Sequence, residues 1–153
     1  MYRIYKSGDH MYKLYTEEAI TLIKEALVQE QTYVKIYEEM DKILEASSEK
    51  DTIIKILNDE KEHVQTFRWL LLELTSKNTA PVEIIVQPIP NCILGVRACI
   101  EAKIASVDKY NKIYHNLQEN KYKNIIIKLI NDEFKHLNQL NYLLIEKCLI
   151  NLK

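Results

Sequence analysis

Apolar residues recur every three or four positions through two long stretches of this chain, roughly residues 9–80 and 96–153, with polar residues between them. Neither stretch contains a helix breaker: the prolines are Pro81, Pro88 and Pro90, and the glycines are Gly8 and Gly95, the latter at the edge of the second stretch. Each stretch is too long for one globular helix and is expected to fold back on itself once. Ser47-Ser48-Glu49-Lys50-Asp51 supplies a polar break with capping chemistry in the first, and Glu119-Asn120-Lys121 does so in the second. Thr16, ahead of Glu17 and Glu18, and Asn91 are further N-cap candidates. The pattern predicts four helices at about 16–46, 48–77, 91–118 and 121–151. Short turns pair them into two antiparallel hairpins. Residues 78–90, with the extended-looking Val82-Glu83-Ile84-Ile85-Val86, form a crossover long enough to run the length of a bundle. Residues 1–15, with Tyr2, Tyr5, Tyr12 and Tyr15, read as a segment packing its tyrosines on the single domain of residues 16–153.

Composition narrows the class. With 153 residues, 47% of them hydrophobic, the chain is long enough for one domain with a real core. A net charge of −1 carries no nucleic-acid footprint. No apolar run approaches the ~18 residues of a membrane span, and no signal-peptide pattern opens the chain, so a cytoplasmic protein is expected. Cys92, Cys99 and Cys148 form no CxxC pair, which excludes a zinc ribbon or rubredoxin-type iron site and fits a reducing compartment.

The two halves repeat. Ile53-Ile54-Lys55, Asn58-Asp59-Glu60-x-x-His63 and Leu70-Leu71-x-Glu73 recur 73 residues later as Ile126-Ile127-Lys128, Asn131-Asp132-Glu133-x-x-His136 and Leu143-Leu144-x-Glu146. Glu60 with His63, and Glu133 with His136, are three apart, so each pair leaves one helix face. One such pair is a weak signal; two in a duplicated frame are a strong one. Ile56, Leu57, Val64 and Phe67 flank the first pair, and Leu129, Ile130, Leu137 and Leu140 the second, so these polar residues interrupt apolar stripes. Buried carboxylates need counter-charge.

A bundle-core metal site also needs a carboxylate from each remaining helix. Glu30 lies among Ile23, Ala26, Leu27, Tyr33, Val34 and Tyr37, whereas Glu25, Glu38 and Glu39 have more polar neighbours. On the third helix Glu101 is selected, with Leu94, Ala98, Ile104 and Ala105 around it and Asp108 as an extra or substitute ligand. Four carboxylates and two neutral imidazoles balance two divalent cations. Mixed oxygen and nitrogen donors suit iron or manganese, with zinc able to occupy such a site. Asp59 and Asp132 are candidates to accept the free ring N–H of the histidine on the opposing helix, or else solvated surface groups. Tyr33 and Tyr37 are candidate donors to Glu30, or else core-filling residues. Trp69, Met40 and His115 read as packing or surface residues.

The order Glu30, Glu60-x-x-His63, Glu101, Glu133-x-x-His136 resembles the ferritin-like di-iron carboxylate superfamily, most closely its rubrerythrin (erythrin) branch, across residues 16–151. The resemblance implies an all-α, ferritin-like four-helix bundle. It implies two iron ions bridged by Glu60 and Glu133, with Glu30 and Glu101 as terminal ligands and one histidine on each ion. It further implies reduction of hydrogen peroxide or O2 in oxidative-stress defence; ferroxidase or iron storage, and a non-enzymatic metal-binding bundle, are the alternatives. No rubredoxin domain follows the fourth helix, so a separate electron-donor protein is implied, and a homodimer is expected. Rubrerythrins usually carry a further Glu one turn after the third-helix ligand, where this chain has Ile104. Lys61 stands where the haem-ligating Met of bacterioferritin would, so no haem is expected.

Overall fold

The computed structural model describes residues 4–7, 10–13, 15–45 and 47–150. Its helices are α1 (Glu17–Ile43), α2 (Ser48–Thr75), α3 (Cys92–Asn116) and α4 (Asn120–Ile150), one for each expected helix. The anticipated caps form. The Thr16 hydroxyl accepts from the Ala19 N–H at 3.1 Å, Ser47 from Lys50 at 3.4 Å and the Asn91 side chain from Leu94 at 3.0 Å, each satisfying an N–H that the helix leaves unpaired. Lys50 closes the first turn by donating from Nζ to the Asp41 carbonyl at 2.8 Å and the Leu44 carbonyl at 3.2 Å. Ser76 ends α2 in the left-handed region, φ 58°, and its N–H returns to the Leu72 carbonyl.

Cross-helix contacts fix the helix directions. Along α1 the partners on α3 run backwards: Thr16 meets Asn116, Glu25 meets Lys109, Gln29 meets Ser106, Tyr33 meets the Ala102 carbonyl and Met40 meets Cys99. On α2 and α4, Glu49 pairs with Lys147 and Asp59 with His136. Between α1 and α2, Lys50 meets Asp41, Lys61 meets Glu38 and His63 meets Glu30, so α2 and α3 both run antiparallel to α1 and hence parallel to each other. Residues 76–91 must travel the length of the bundle between them, as the crossover reading requires.

Ahead of the bundle, strands β1 (Ile4–Ser7) and β2 (His10–Lys13) pair antiparallel, with Tyr5 opposite Tyr12. The sequence pattern announced no strand there. Tyr15 is buried and bridges to Leu117, while the expected packing of Tyr2, Tyr5 and Tyr12 on the bundle lies outside the described side chains.

The core is two apolar clusters with a polar layer between them. Ile23, Leu27, Phe67, Leu70, Ile113 and Ile126 represent one cluster; Met40, Ile53, Ile56, Val96, Leu140 and Leu143 represent the other. Among the described residues, no helix is long and apolar enough to cross a membrane.

Candidate metal centre

Glu30, Glu60, His63, Glu133 and His136 converge in the polar layer, none more than 3% exposed. Each pair sits three residues apart on its helix, and the antiparallel packing of α2 on α4 brings the two pairs face to face, with ring centroids 5.8 Å apart. Nδ1 of His63 lies 3.4 Å from Glu30 Oε2, 3.3 Å from Glu133 Oε1 and 3.9 Å from Glu60 Oε2. Nδ1 of His136 lies 3.1 Å from Glu60 Oε1 and 3.8 Å from Glu133 Oε1. The outward nitrogens face aspartates on the opposing helices: His136 Nε2 is 2.9 Å from Asp59 Oδ2, and His63 Nε2 is 3.6 Å from Asp132 Oδ2.

The third helix departs from expectation. Glu101 is exposed, as are Ile104, Ala105 and Asp108, so neither Glu101 nor Asp108 reaches the layer. The face of α3 that packs inward is Val96, Cys99, Lys103, Ser106, Tyr110 and Ile113. The choice of Glu101 mistook the face of α3, because it sought a carboxylate where the chain has an ammonium. Lys103 Nζ lies 2.6 Å from Glu60 Oε1 and 2.9 Å from Glu133 Oε2. Its side chain is 1% exposed, and Nζ lies 4.7 Å from the Tyr33 ring centroid and 5.7 Å from that of Tyr37. The repeat contained the missed signal: the 73-residue offset that carries Glu60 onto Glu133 and His63 onto His136 carries Glu30 onto Lys103 and Tyr37 onto Tyr110.

The tyrosines are also reassigned. Tyr33 donates to the Ala102 carbonyl at 3.2 Å, and neither Tyr33 nor Tyr37 bonds Glu30. Tyr110, its ring tilted against that of Phe67 with centroids 5.2 Å apart, donates a hydrogen bond to Glu30 Oε1 instead. Met40 is buried against Cys99, and Trp69 stands half-exposed beside Tyr122.

Charge follows from this arrangement. Burial, with Glu60 nearby, pushes the Glu30 carboxyl up to about 8. Burial works against ionisation of Glu60, yet the Lys103 ammonium and the nearby His136 imidazole outweigh it and hold the carboxyl well below the usual range. The same contest raises Lys103: burial disfavours its charge, and Glu60 and Glu133 more than restore it. Burial also opposes charge on the imidazoles, but the nearby carboxylates of Glu133 and Glu30 raise His63 to about 10, and those of Glu133 and Glu60 raise His136 to about 9.

One oxygen each from Glu30, Glu60 and Glu133 and one nitrogen of His63 lie within 4.8 Å of one another, a compact donor set for one cation. Glu30 Oε2, Glu60 Oε2 and the Nδ1 atoms of His63 and His136 are buried without a hydrogen-bond partner among the described residues, as ligand atoms of an ion would be. These residues fit an ion. The carboxylate expected from the third helix is absent from the layer, and Lys103 lies between Glu60 and Glu133. Alongside the centre, an open pocket of about 560 Å³ is lined by His63, Asp59, Asp132, Glu62, Trp69 and Leu129, among others.

No family model and no curated protein matches the chain. Solved structures do. A hypothetical protein from Pyrococcus furiosus superposes with a TM-score of 0.75 at 19% identity, covering 88% of this chain and 92% of its own. A ferritin-like, diiron-carboxylate protein from Bacillus anthracis gives 0.74 at 18% identity, covering 84% and 96%. The bacterioferritin of Desulfovibrio desulfuricans, described with a diiron site in different catalytic states, gives 0.73 at 16% identity, covering 83% and 78%. At such identities the likeness speaks for architecture alone: this chain has the fold of the ferritin-like four-helix bundles.

Proposed function

We propose that this chain is a non-haem metal oxidoreductase that reduces hydrogen peroxide or O2, the activity implied by its resemblance to rubrerythrins. The observation that carries the reading is the buried set of Glu30, Glu60, His63 and Glu133, whose ligand atoms converge within 4.8 Å inside an otherwise apolar bundle. Iron is the ion favoured by the resemblance, and manganese suits the same donors. Bound there, such an ion supplies the redox chemistry that side chains lack.

The chain's own residues prepare the site. The apolar clusters on either side keep bulk water out and strengthen electrostatic interactions in the layer. Tyr110 orients Glu30 through its hydroxyl, and Asp132 faces the outer nitrogen of His63. The pocket beside His63 offers a small oxygen substrate a route to the layer. Reduction of peroxide to water takes two electrons and two protons, and the electrons are assigned to a separate donor protein.

Ferroxidase or storage activity is the second reading, favoured by Asp59, Glu62 and Asp132 at the pocket, which suit an entering cation. The test is to load metal-free protein with Fe(II) anaerobically and divide it between H2O2 and O2. Fast oxidation by H2O2, sustained by added reductant, is expected. Continued uptake of Fe(II) under O2 without reductant would replace peroxide reduction with ferroxidase activity. No oxidation by either would end both.

A further inference from the structure

We propose that the Lys103 ammonium permanently fills the place of a second metal ion, making this a one-metal centre on a scaffold built for two. The inference rests on the metal-binding reading above and goes beyond it in fixing how many ions bind and which residues hold them.

Three observations carry it. The first is position: Lys103 is the repeat counterpart of Glu30, so it occupies the place from which the second half of the bundle would offer its terminal carboxylate. The second is contact: Nζ lies 2.6 Å from Glu60 Oε1 and 2.9 and 3.3 Å from the two oxygens of Glu133, engaging both carboxylates that would otherwise bridge two ions. The third is confinement: the side chain is 1% exposed, with the Tyr33 and Tyr37 rings beside its ammonium, so vacating the place would strip a cation of its partners.

Charge gives the same answer. With His63 neutral as a ligand and His136 paired with Asp59, Glu30, Glu60 and Glu133 balance one ammonium and one divalent ion. A second divalent ion would leave two uncompensated positive charges in a layer bounded by apolar clusters, a costly burial. Donor geometry separates the histidines. His63 belongs to the convergent set with Glu30, Glu60 and Glu133. His136 instead faces Glu60 Oε1, the oxygen that already receives Lys103, and is anchored on its far side by Asp59. The structure thus assigns His63 as a ligand and His136 as a positioning residue.

The experiment uses Mn2+ as probe. Metal-free protein is titrated anaerobically, bound ion per chain is counted by equilibrium dialysis, and the electron paramagnetic resonance spectrum is recorded. The wild type is expected to bind one Mn2+ with the six-line signal of an isolated ion. Lys103→Glu, which restores the fourth carboxylate, is expected to bind two and to show the broadened signal of a coupled pair. Two ions on the wild type would overturn this inference while leaving the metal-binding reading intact; none would overturn that reading itself. One ion on a folded Lys103→Glu would also overturn the assignment. If that variant does not fold, Lys103→Met, which keeps the stem and removes the charge, is expected to take up more than one ion, and a single ion would sink the proposal.

Discussion

The ammonium of Lys103 lies 2.6 Å from Oε1 of Glu60, both residues being 0% exposed. An ion pair at that depth is costly to assemble, and more costly to break from one side, because the abandoned charge stays buried. Lys103→Met is therefore expected to lower the stability of metal-free protein by roughly 3–5 kcal/mol. Added Mn2+ should recover much of the loss, since a divalent ion supplies the counter-charge that Glu60 and Glu133 then lack. Urea denaturation with chelator and with Mn2+ checks both parts, and an equal loss in the two conditions would contradict the account.

Tyr110 donates to Glu30 Oε1, while Oε2 has no hydrogen-bond partner among the described residues. Tyr110→Phe keeps the ring against Phe67 and removes that donor. The expected outcome is a loss of roughly 1–3 kcal/mol in urea denaturation. Mn2+ affinity should fall about tenfold as the carboxylate loses its orientation.

Metal binding should depend steeply on pH. A metal takes His63 through a bare nitrogen and Glu30 as a carboxylate, yet burial with Glu60 raises Glu30 to about 8, and the nearby carboxylates of Glu133 and Glu30 outweigh burial to raise His63 to about 10. Below both values each group surrenders a proton when the ion enters, so affinity rises as pH increases, by about a hundredfold per unit. Between the two values only His63 does so, and the rise slackens to about tenfold per unit. Calorimetric Mn2+ titrations in buffers of different ionisation enthalpy count the released protons; an affinity constant from pH 6 to pH 9 would contradict these assignments.

Glu101 provides the control for the register of α3. It is exposed, and it stood in the expected ligand set. Glu101→Ala is expected to leave Mn2+ affinity unchanged and to shift stability by no more than about 0.5 kcal/mol. Loss of the ion would return Glu101 to the centre.

Much of the molecule was readable along the chain because its signals are local. Two breaker-free stretches, the caps at Thr16, Ser47 and Asn91, and one proline-rich connection specify four helices and a crossover through backbone chemistry that acts over a few residues. Glu60 and His63, like Glu133 and His136, identify one another because a single helix carries each pair at a fixed spacing. Even the place of Lys103 was encoded, in the offset that carries Glu30 onto it.

What the third helix presents inward was decided only by packing. Its inward face mixes Val96, Cys99, Lys103, Ser106 and Tyr110, while Leu94 and Ile104 lie on its exposed side, so hydrophobic periodicity pointed to the wrong stripe. A lysine belongs in a core only where carboxylates from other helices meet it, and α2 and α4 supply them from 43 residues before Lys103 and 30 residues after it. Tyr110 likewise finds Glu30 across 80 residues of chain, although Tyr33 and Tyr37 are nearer to it in sequence. Sequence determines what each helix can offer; whether an inward lysine is a burial penalty or a substitute for a metal ion depends on the charges that the other helices bring within 3 Å of it.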